Sequence, residues 1–133
     1  MSKPESTYSA SINKLLPVEL HREKMHNVFR GGTADFWYSG TLDDLWVEYK
    51  YLPKIPLRTP IRVYKLLSAL QLIWLNGPYR EGRNVVVILG TPQKSWIYAD
   101  GAWQVRDVSK SILLDSGHDR KAVAAYIWGR TML

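Results

Sequence analysis

Residues 45–52 of this chain read Leu-Trp-Val-Glu-Tyr-Lys-Tyr-Leu, and this segment limits the fold more than any other. Its aromatic and β-branched side chains are typical of a β-strand, in which successive side chains point to opposite faces of the sheet. Glu48 and Lys50 would then project from the same face, among apolar neighbours. Charged side chains in a buried strand carry a free-energy cost unless they are paired or bind a ligand. The segment therefore predicts a buried central strand with a polar function on one face.

The remaining segments predict an α/β domain with a mixed central sheet flanked by helices. An aromatic strand at residues 35–38 and a turn at 39–44 would make 45–52 the second strand of a hairpin. Apolar periodicity predicts helices over 18–27 and 63–76, a strand over 84–89, a hairpin over 96–105 and a last helix from residue 116. Residues 1–13 are predicted to be a flexible N-terminal arm, and residues 14–133 to form a single domain.

The composition restricts both the chemistry and the partners. The chain has 133 residues, no cysteine and a formal net charge of +6. Disulfides, thiolate metal sites and cysteine nucleophiles are therefore excluded, and the positive charge favours a polyanion such as nucleic acid as partner. No apolar run has the length of a membrane-spanning helix, and the first residues lack the apolar segment of a signal peptide. These features predict a cytoplasmic protein, in the host cytoplasm if the source is a virus.

Asp35 begins the first strand of the predicted hairpin, so strand pairing can bring its carboxylate towards Glu48. Mg²⁺ or Mn²⁺ takes oxygen ligands and is usually held by one or two carboxylates. Asp35, Glu48 and the backbone carbonyl of Tyr49 form such a donor set, and a bound cation would activate water for phosphodiester hydrolysis. Lys50 would orient the attacking water or stabilise the charge that develops on the phosphate. The alternative is a simple ion pair between Glu48 and Lys50 on a solvated sheet face.

An acidic residue on one strand followed by Glu-x-Lys on the next resembles the signature of the PD-(D/E)XK nucleases. The matching residues are Ala34-Asp35 and Glu48-Tyr49-Lys50, with Ala34 where the family usually has proline. The resemblance covers roughly residues 17–90 and is strongest to the small stand-alone VRR-NUC type and its phage relatives. It implies a restriction-endonuclease-like core and a metal-dependent DNA endonuclease, with branched or junction DNA as a candidate substrate. An exonuclease of the same class and a non-catalytic DNA-binding accessory protein with this fold are the alternatives.

The same resemblance implies further site residues. A glutamate of the first helix often completes the metal shell in this family, and Glu23 is chosen over Glu19 for that position. Gln71 is counted with Asp35, Glu48 and Lys50 as catalytic, although it could instead face solvent. The predicted contacts to DNA phosphates are basic residues, most of them in the proline-rich segment after the second strand: Arg30, Lys54, Arg58, Arg62 and Lys65. A homodimer would allow two such centres to address both strands.

Overall fold

The computed structural model describes residues 2–25, 32–55, 61–106 and 117–132. The helices and strands follow in the order α1 (Lys3–Asn13), β1 (His21–Lys24), β2 (Phe36–Ser39), β3 (Asp44–Tyr51), α2 (Ala69–Arg80), β4 (Val85–Gly90), β5 (Ser95–Tyr98) and α3 (Arg120–Thr131). Short 3₁₀ turns occupy Val63–Leu66 and Ala102–Gln104. Within these described residues, no helix is long and apolar enough to cross a membrane.

The strands of the described residues form one mixed sheet in the order β1-β2-β3-β4-β5. Among the five described strands, β3 and β4 pair in parallel and the other neighbours are antiparallel. A parallel pair needs a crossover connection, and α2 lies in the segment that joins β3 to β4. In this strand order both parallel strands lie in the interior of the sheet, and Val86, Val87 and Ile88 of β4 are fully buried. The predicted mixed α/β architecture is confirmed.

Side-chain alternation along β3 and β4 divides the apolar residues between two cores, one on each face of the sheet. On one face, Val47 and Tyr49 pack with α1 and α3. On the other face, Val87 and Leu89 pack with α2 and with the two 3₁₀ turns. The second face also carries Glu48 and is therefore the face on which the polar residues of β3 lie.

The prediction of a flexible arm at residues 1–13 is wrong, because Lys3–Asn13 is the helix α1. Ser2 caps this helix: its hydroxyl accepts the Glu5 N–H at 3.3 Å, and its own N–H donates to the Glu5 carboxylate at 3.2 Å. Tyr8 and Ile12, one turn apart, are buried in the core. The Tyr8 ring lies directly against Gly90, where any side chain would overlap it. Packing of this apolar pair therefore orders a segment that is polar in sequence.

The predicted first helix over residues 18–27 is also wrong, since His21–Lys24 is the edge strand β1. Its sequence, His-Arg-Glu-Lys, has no apolar alternation and so carries no strand signal. Backbone pairing with β2 holds it, with Glu23 opposite Trp37. Residues 26 and 27 lie outside the described residues.

Later boundaries differ less from the prediction. The helix expected over 63–76 is divided into a 3₁₀ turn and α2, and α2 continues through Pro78 to Arg80. The expected hairpin over 96–105 has β5 as its first strand, but its second half is the turn Ala102–Gln104. Burial of Trp103, whose indole N–H donates to Asn76 at 3.0 Å, accounts for this turn. The last helix begins at Arg120 after the N-cap residue Asp119, rather than at 116.

Candidate active site

The candidate site lies where β3 continues beyond its pairing with β2. The β2–β3 register ends with Phe36 opposite Val47, whereas β4 accompanies β3 as far as Tyr51. Among the described residues, one edge of β3 is therefore without a neighbouring strand from residue 48 onwards. The Asp35 side chain occupies part of this edge, because its Oδ2 accepts the Tyr49 N–H at 2.8 Å. This bond holds the Asp35 carboxylate beside the middle of β3.

Glu48 is 1% exposed, and its two carboxylate oxygens have different surroundings. Oε1 accepts a hydrogen bond from the Gln71 amide at 3.1 Å. Oε2 is buried and receives no hydrogen bond from a donor group among the described residues. A buried carboxylate oxygen without a donor is costly, and such groups are concentrated at functional sites.

Gln71 is held in position by the first turn of α2. Its backbone N–H donates to Ser68 Oγ at 3.1 Å, and its side-chain oxygen accepts the Ser68 N–H at 2.9 Å. This capping box uses the amide oxygen, so the NH₂ group is left to bond Glu48. The cap of α2 thereby fixes one oxygen of the Glu48 carboxylate.

The two carboxyl groups perturb each other strongly. Burial, followed by the negative charge of Asp35, raises the pKa of Glu48 to about 9. Burial also raises the pKa of Asp35, against the opposing effects of the Tyr49 N–H and of a hydrogen bond with Glu48. Two acids this close cannot both ionise readily in a buried site. In the absence of a cation, burial and mutual repulsion therefore favour one retained proton on the pair near neutral pH, and the pKa of Glu48 is the more strongly raised of the two.

Lys50 follows Glu48 on the same face of β3 and is half-buried. Its positive charge lowers the pKa of Glu48, so the ammonium group lies near the acids. The two ion pairs between described residues join His21 to Glu23 and Glu81 to Arg83, so neither involves Lys50. The direct Glu48–Lys50 ion pair, which was the alternative interpretation of the sequence, is therefore not formed. The ammonium group is available to a bound anion.

The structure also identifies an acid that sequence analysis missed. The negative charge of Glu5 raises the pKa of both Asp35 and Glu48, so α1 places this carboxylate within electrostatic range of the pair. The capping pattern Ser2-x-x-Glu5 was the signal that could have revealed both the helix and this residue.

The prediction that a helix delivers Glu23 to the metal site is wrong. Glu23 lies on the edge strand β1, where its side chain is 53% exposed and its Oε1 is 3.2 Å from Nε2 of His21. Its charge is not among those that shift the pKa values of Asp35 and Glu48. Glu5, on α1, is instead the glutamate outside the pair whose charge reaches both acids.

The donor set at the open edge of β3 fits a hard divalent cation. The N–H groups of Trp46 and Leu52 donate to the β4 side of the strand, so the odd-numbered residues present their backbone groups to the other side. The carbonyl of Tyr49 therefore faces the same edge as its N–H, beside Asp35. Oε2 of Glu48, which receives no hydrogen bond from a described donor group, is a further oxygen ligand for the cation.

Among the described residues, no three His, Cys, Asp or Glu side chains are grouped closely enough to form a complete metal cage. This arrangement is compatible with Mg²⁺ or Mn²⁺, because such ions commonly bind one or two carboxylates and take water or substrate oxygens for the rest. Asp35, Glu48 and the Tyr49 carbonyl are thus the residues that could hold the ion.

The structure describes three of the five basic residues that the sequence predicts to contact phosphates. Lys54, Arg62 and Lys65 lie in the segment between β3 and α2, where Lys54 and Lys65 are exposed and Arg62 is half-buried. The two ion pairs between described residues do not involve them. Arg30 and Arg58 lie outside the described residues.

Comparison with known proteins supports the fold. The chain is similar to Hjc, a Holliday junction resolvase from the archaeal hyperthermophile Archaeoglobus fulgidus, with a TM-score of 0.50 and 18% sequence identity. The match covers 90% of this chain and 99% of that chain. At this identity the likeness concerns the fold, which is a restriction-endonuclease-like α/β fold. No protein-family model and no curated protein matches the sequence.

Proposed function

We propose that this chain is a divalent-metal-dependent DNA endonuclease of the PD-(D/E)XK type, acting on branched or junction DNA. The observation that carries the proposal is the buried Asp35–Glu48 pair at the open edge of β3, with one Glu48 oxygen lacking a donor and Lys50 close by. A carboxyl pair that keeps a proton for lack of a cation can exchange that proton for a metal ion. The fold similarity to a Holliday junction resolvase supports junction DNA as the substrate class.

Each side chain of the site has a distinct part in this chemistry. Asp35, Glu48 and the Tyr49 carbonyl would hold Mg²⁺ or Mn²⁺, which polarises a phosphoryl oxygen and lowers the pKa of bound water. Gln71 keeps the Glu48 carboxylate oriented through the 3.1 Å bond. Lys50 stabilises the additional negative charge that develops on the phosphate during attack. For Asp35, Glu48 and Lys50, these are roles that the sequence motif implied.

Cleavage of synthetic DNA tests the proposed function directly. Labelled four-way junction, duplex and single-stranded substrates of matched sequence are incubated with Mg²⁺, with Mn²⁺ or with EDTA. We expect metal-dependent cuts, fastest in the junction, because a structure-selective nuclease reads the shape of its substrate. Equal cleavage in EDTA would overturn the metal dependence, and the absence of cleavage of every substrate in either metal would overturn the nuclease assignment.

Glu5→Gln is expected to raise the Mg²⁺ concentration for half-maximal cleavage several-fold. The reason is electrostatic: Glu5 acts on both acids of the pair, and loss of its negative charge weakens attraction of the cation to the site. Metal titrations of initial cleavage rate measure the shift.

Glu23→Gln is the matched control, since it removes the same charge from the exposed edge strand β1. An unchanged metal requirement in Glu5→Gln, or an equal shift in both variants, would show that α1 contributes no charge specific to the site.

A further inference from the structure

A cavity of about 350 Å³ lies between the start of α1, the end of β3 and the start of α3. The residues that line it are Lys3, Pro4, Thr7, Tyr8, Tyr51 and Arg120. Among the described residues that line it, the charged ones, Lys3 and Arg120, are cationic and come from two different helices, and none is acidic. The hydroxyl groups of Thr7 and Tyr51 are additional hydrogen-bond donors, whereas the Tyr8 hydroxyl is bonded to Ser95. This lining favours an anionic ligand.

Arg120 is held by neutral partners. Its Nη1 donates to Ser11 Oγ at 2.7 Å, and its guanidinium carbon lies 5.1 Å from the centroid of the Tyr8 ring. The adjacent carboxylate of Asp119 instead caps α3 by accepting the Ala122 N–H at 2.7 Å. The ion pairs between described residues do not include Arg120. Its charge is therefore positioned without being neutralised by a described carboxylate.

The position of the cavity connects it to the acid pair. Tyr51 directly follows Lys50 on β3 but projects to the opposite face, where its ring lies 5.6 Å from that of Tyr8. Between these two faces runs the edge of β3 that β2 leaves uncovered. α1 also carries Glu5, whose charge reaches the acid pair, alongside the cavity residues Lys3 and Tyr8. A polymer bound at Glu48 and passing over this edge would arrive at the cavity.

We propose that this cavity binds a backbone phosphate of the DNA strand that occupies the acid pair, next along the strand from the phosphate that is cut. The inference rests on the proposed function and adds a subsite to it. Arginine binds phosphate oxygens through its several N–H donors, and lysine adds a mobile positive charge. The apolar part of the lining, from Pro4, Tyr8 and Tyr51, suits the sugar that follows the phosphate. The subsite would fix the direction in which the strand crosses β3.

Binding measurements in EDTA test the subsite separately from catalysis. Fluorescence anisotropy of a labelled duplex, lacking terminal phosphates, is measured for Lys3→Ala and Arg120→Gln over a range of salt concentrations. Each variant should weaken binding about three- to tenfold and lower the log–log salt slope by about one, because one phosphate contact is lost. The double variant should lose little more slope than either single variant, since both side chains serve the same phosphate.

Lys121→Ala is the matched control, because it removes one charge from the same helix at a residue that does not line this cavity. Lys3 is exposed, so its substitution tests the site even if Arg120→Gln fails to fold. Wild-type affinity and slope in Lys3→Ala and in folded Arg120→Gln would overturn the subsite, as would an equal loss in Lys121→Ala. A loss that appears only with 5′-phosphorylated DNA would overturn the internal position in favour of a strand end.

The same experiment distinguishes the subsite from the nuclease assignment. A wild-type protein that binds DNA but does not cut it, with binding lost in Lys3→Ala, would support the subsite and overturn the nuclease function. If the wild type cuts DNA and both variants bind DNA with wild-type affinity, the nuclease function is supported and the subsite is overturned. A wild-type protein without affinity for DNA would overturn both.

Discussion

Lys50→Ala is expected to reduce DNA cleavage by at least about a hundredfold, because it removes a positive charge placed where negative charge develops in the transition state. Lys50 lies near Glu48 and is not neutralised by an ion pair with a described residue. Its effect should therefore be on the rate of cleavage rather than on folding. Single-turnover cleavage of the preferred substrate at saturating metal measures this rate.

DNA affinity in EDTA provides the control for this variant. We expect affinity to change little in Lys50→Ala, since a single contact among many contributes a small part of binding. Lys24→Ala, which removes an exposed lysine from β1, should leave both cleavage and affinity near their wild-type values. Cleavage by Lys50→Ala at the wild-type rate would show that the assignment of the active site is wrong.

Glu48→Gln is expected to make the metal-free protein more resistant to heat than the wild type at alkaline pH. The pKa of Glu48 is raised from 4.5 to about 9 in the folded protein, so between these values the folded state binds more protons than the unfolded state. The stability associated with protonated Glu48 is therefore fully present below about pH 4.5 and is lost as the pH rises towards 9. The loss can reach about 1.4 kcal/mol per pH unit within this window.

Thermal unfolding between pH 5 and pH 9 in EDTA measures the effect. The difference in Tm between Glu48→Gln and the wild type should increase with pH, whereas Glu19→Gln, at an exposed position, should follow the wild type. Mg²⁺ at pH 8 should raise the Tm of the wild type more than that of Glu48→Gln, because the cation stabilises the ionised pair. A pH-independent difference would show that Glu48 is not the holder of the buried proton.

The alternation of residues 45–52 was sufficient to predict where the polar face of β3 would be. Glu48 lies on the same face as Gln71, which donates to it, and Val47 and Tyr49 lie in the opposite core. These features follow from the two-residue period of a strand, which is a local property of the chain. The burial of β4 was also predicted from a local property, because a continuous apolar run is typical of a strand that is covered on both faces.

The first quarter of the chain was predicted poorly because its structure does not depend on local pattern. α1 has only two large apolar residues, Tyr8 and Ile12, directed into the core, and apart from Pro4 and Ala10 the rest of its sequence is polar. Its order comes from packing against β3 and Gly90, far away along the chain. β1 is entirely polar and exists through backbone pairing with β2. The incorrect choice of Glu23 followed directly from assigning a helix to this strand.

The amino-acid pattern was thus enough to predict the fold class and the central strand, since both depend on residue type and short-range spacing. The structure brings Asp35, Lys50 and Gln71 around Glu48, and their roles stay predictions. Three features depended on tertiary structure: the end of β2 pairing at Val47, the bond from the Tyr49 N–H to Asp35, and the approach of Glu5. These arise where separate elements meet, and the energy of such contacts depends on register and burial that no local period encodes. The cavity between α1 and α3 has the same origin, because residues more than a hundred positions apart form it.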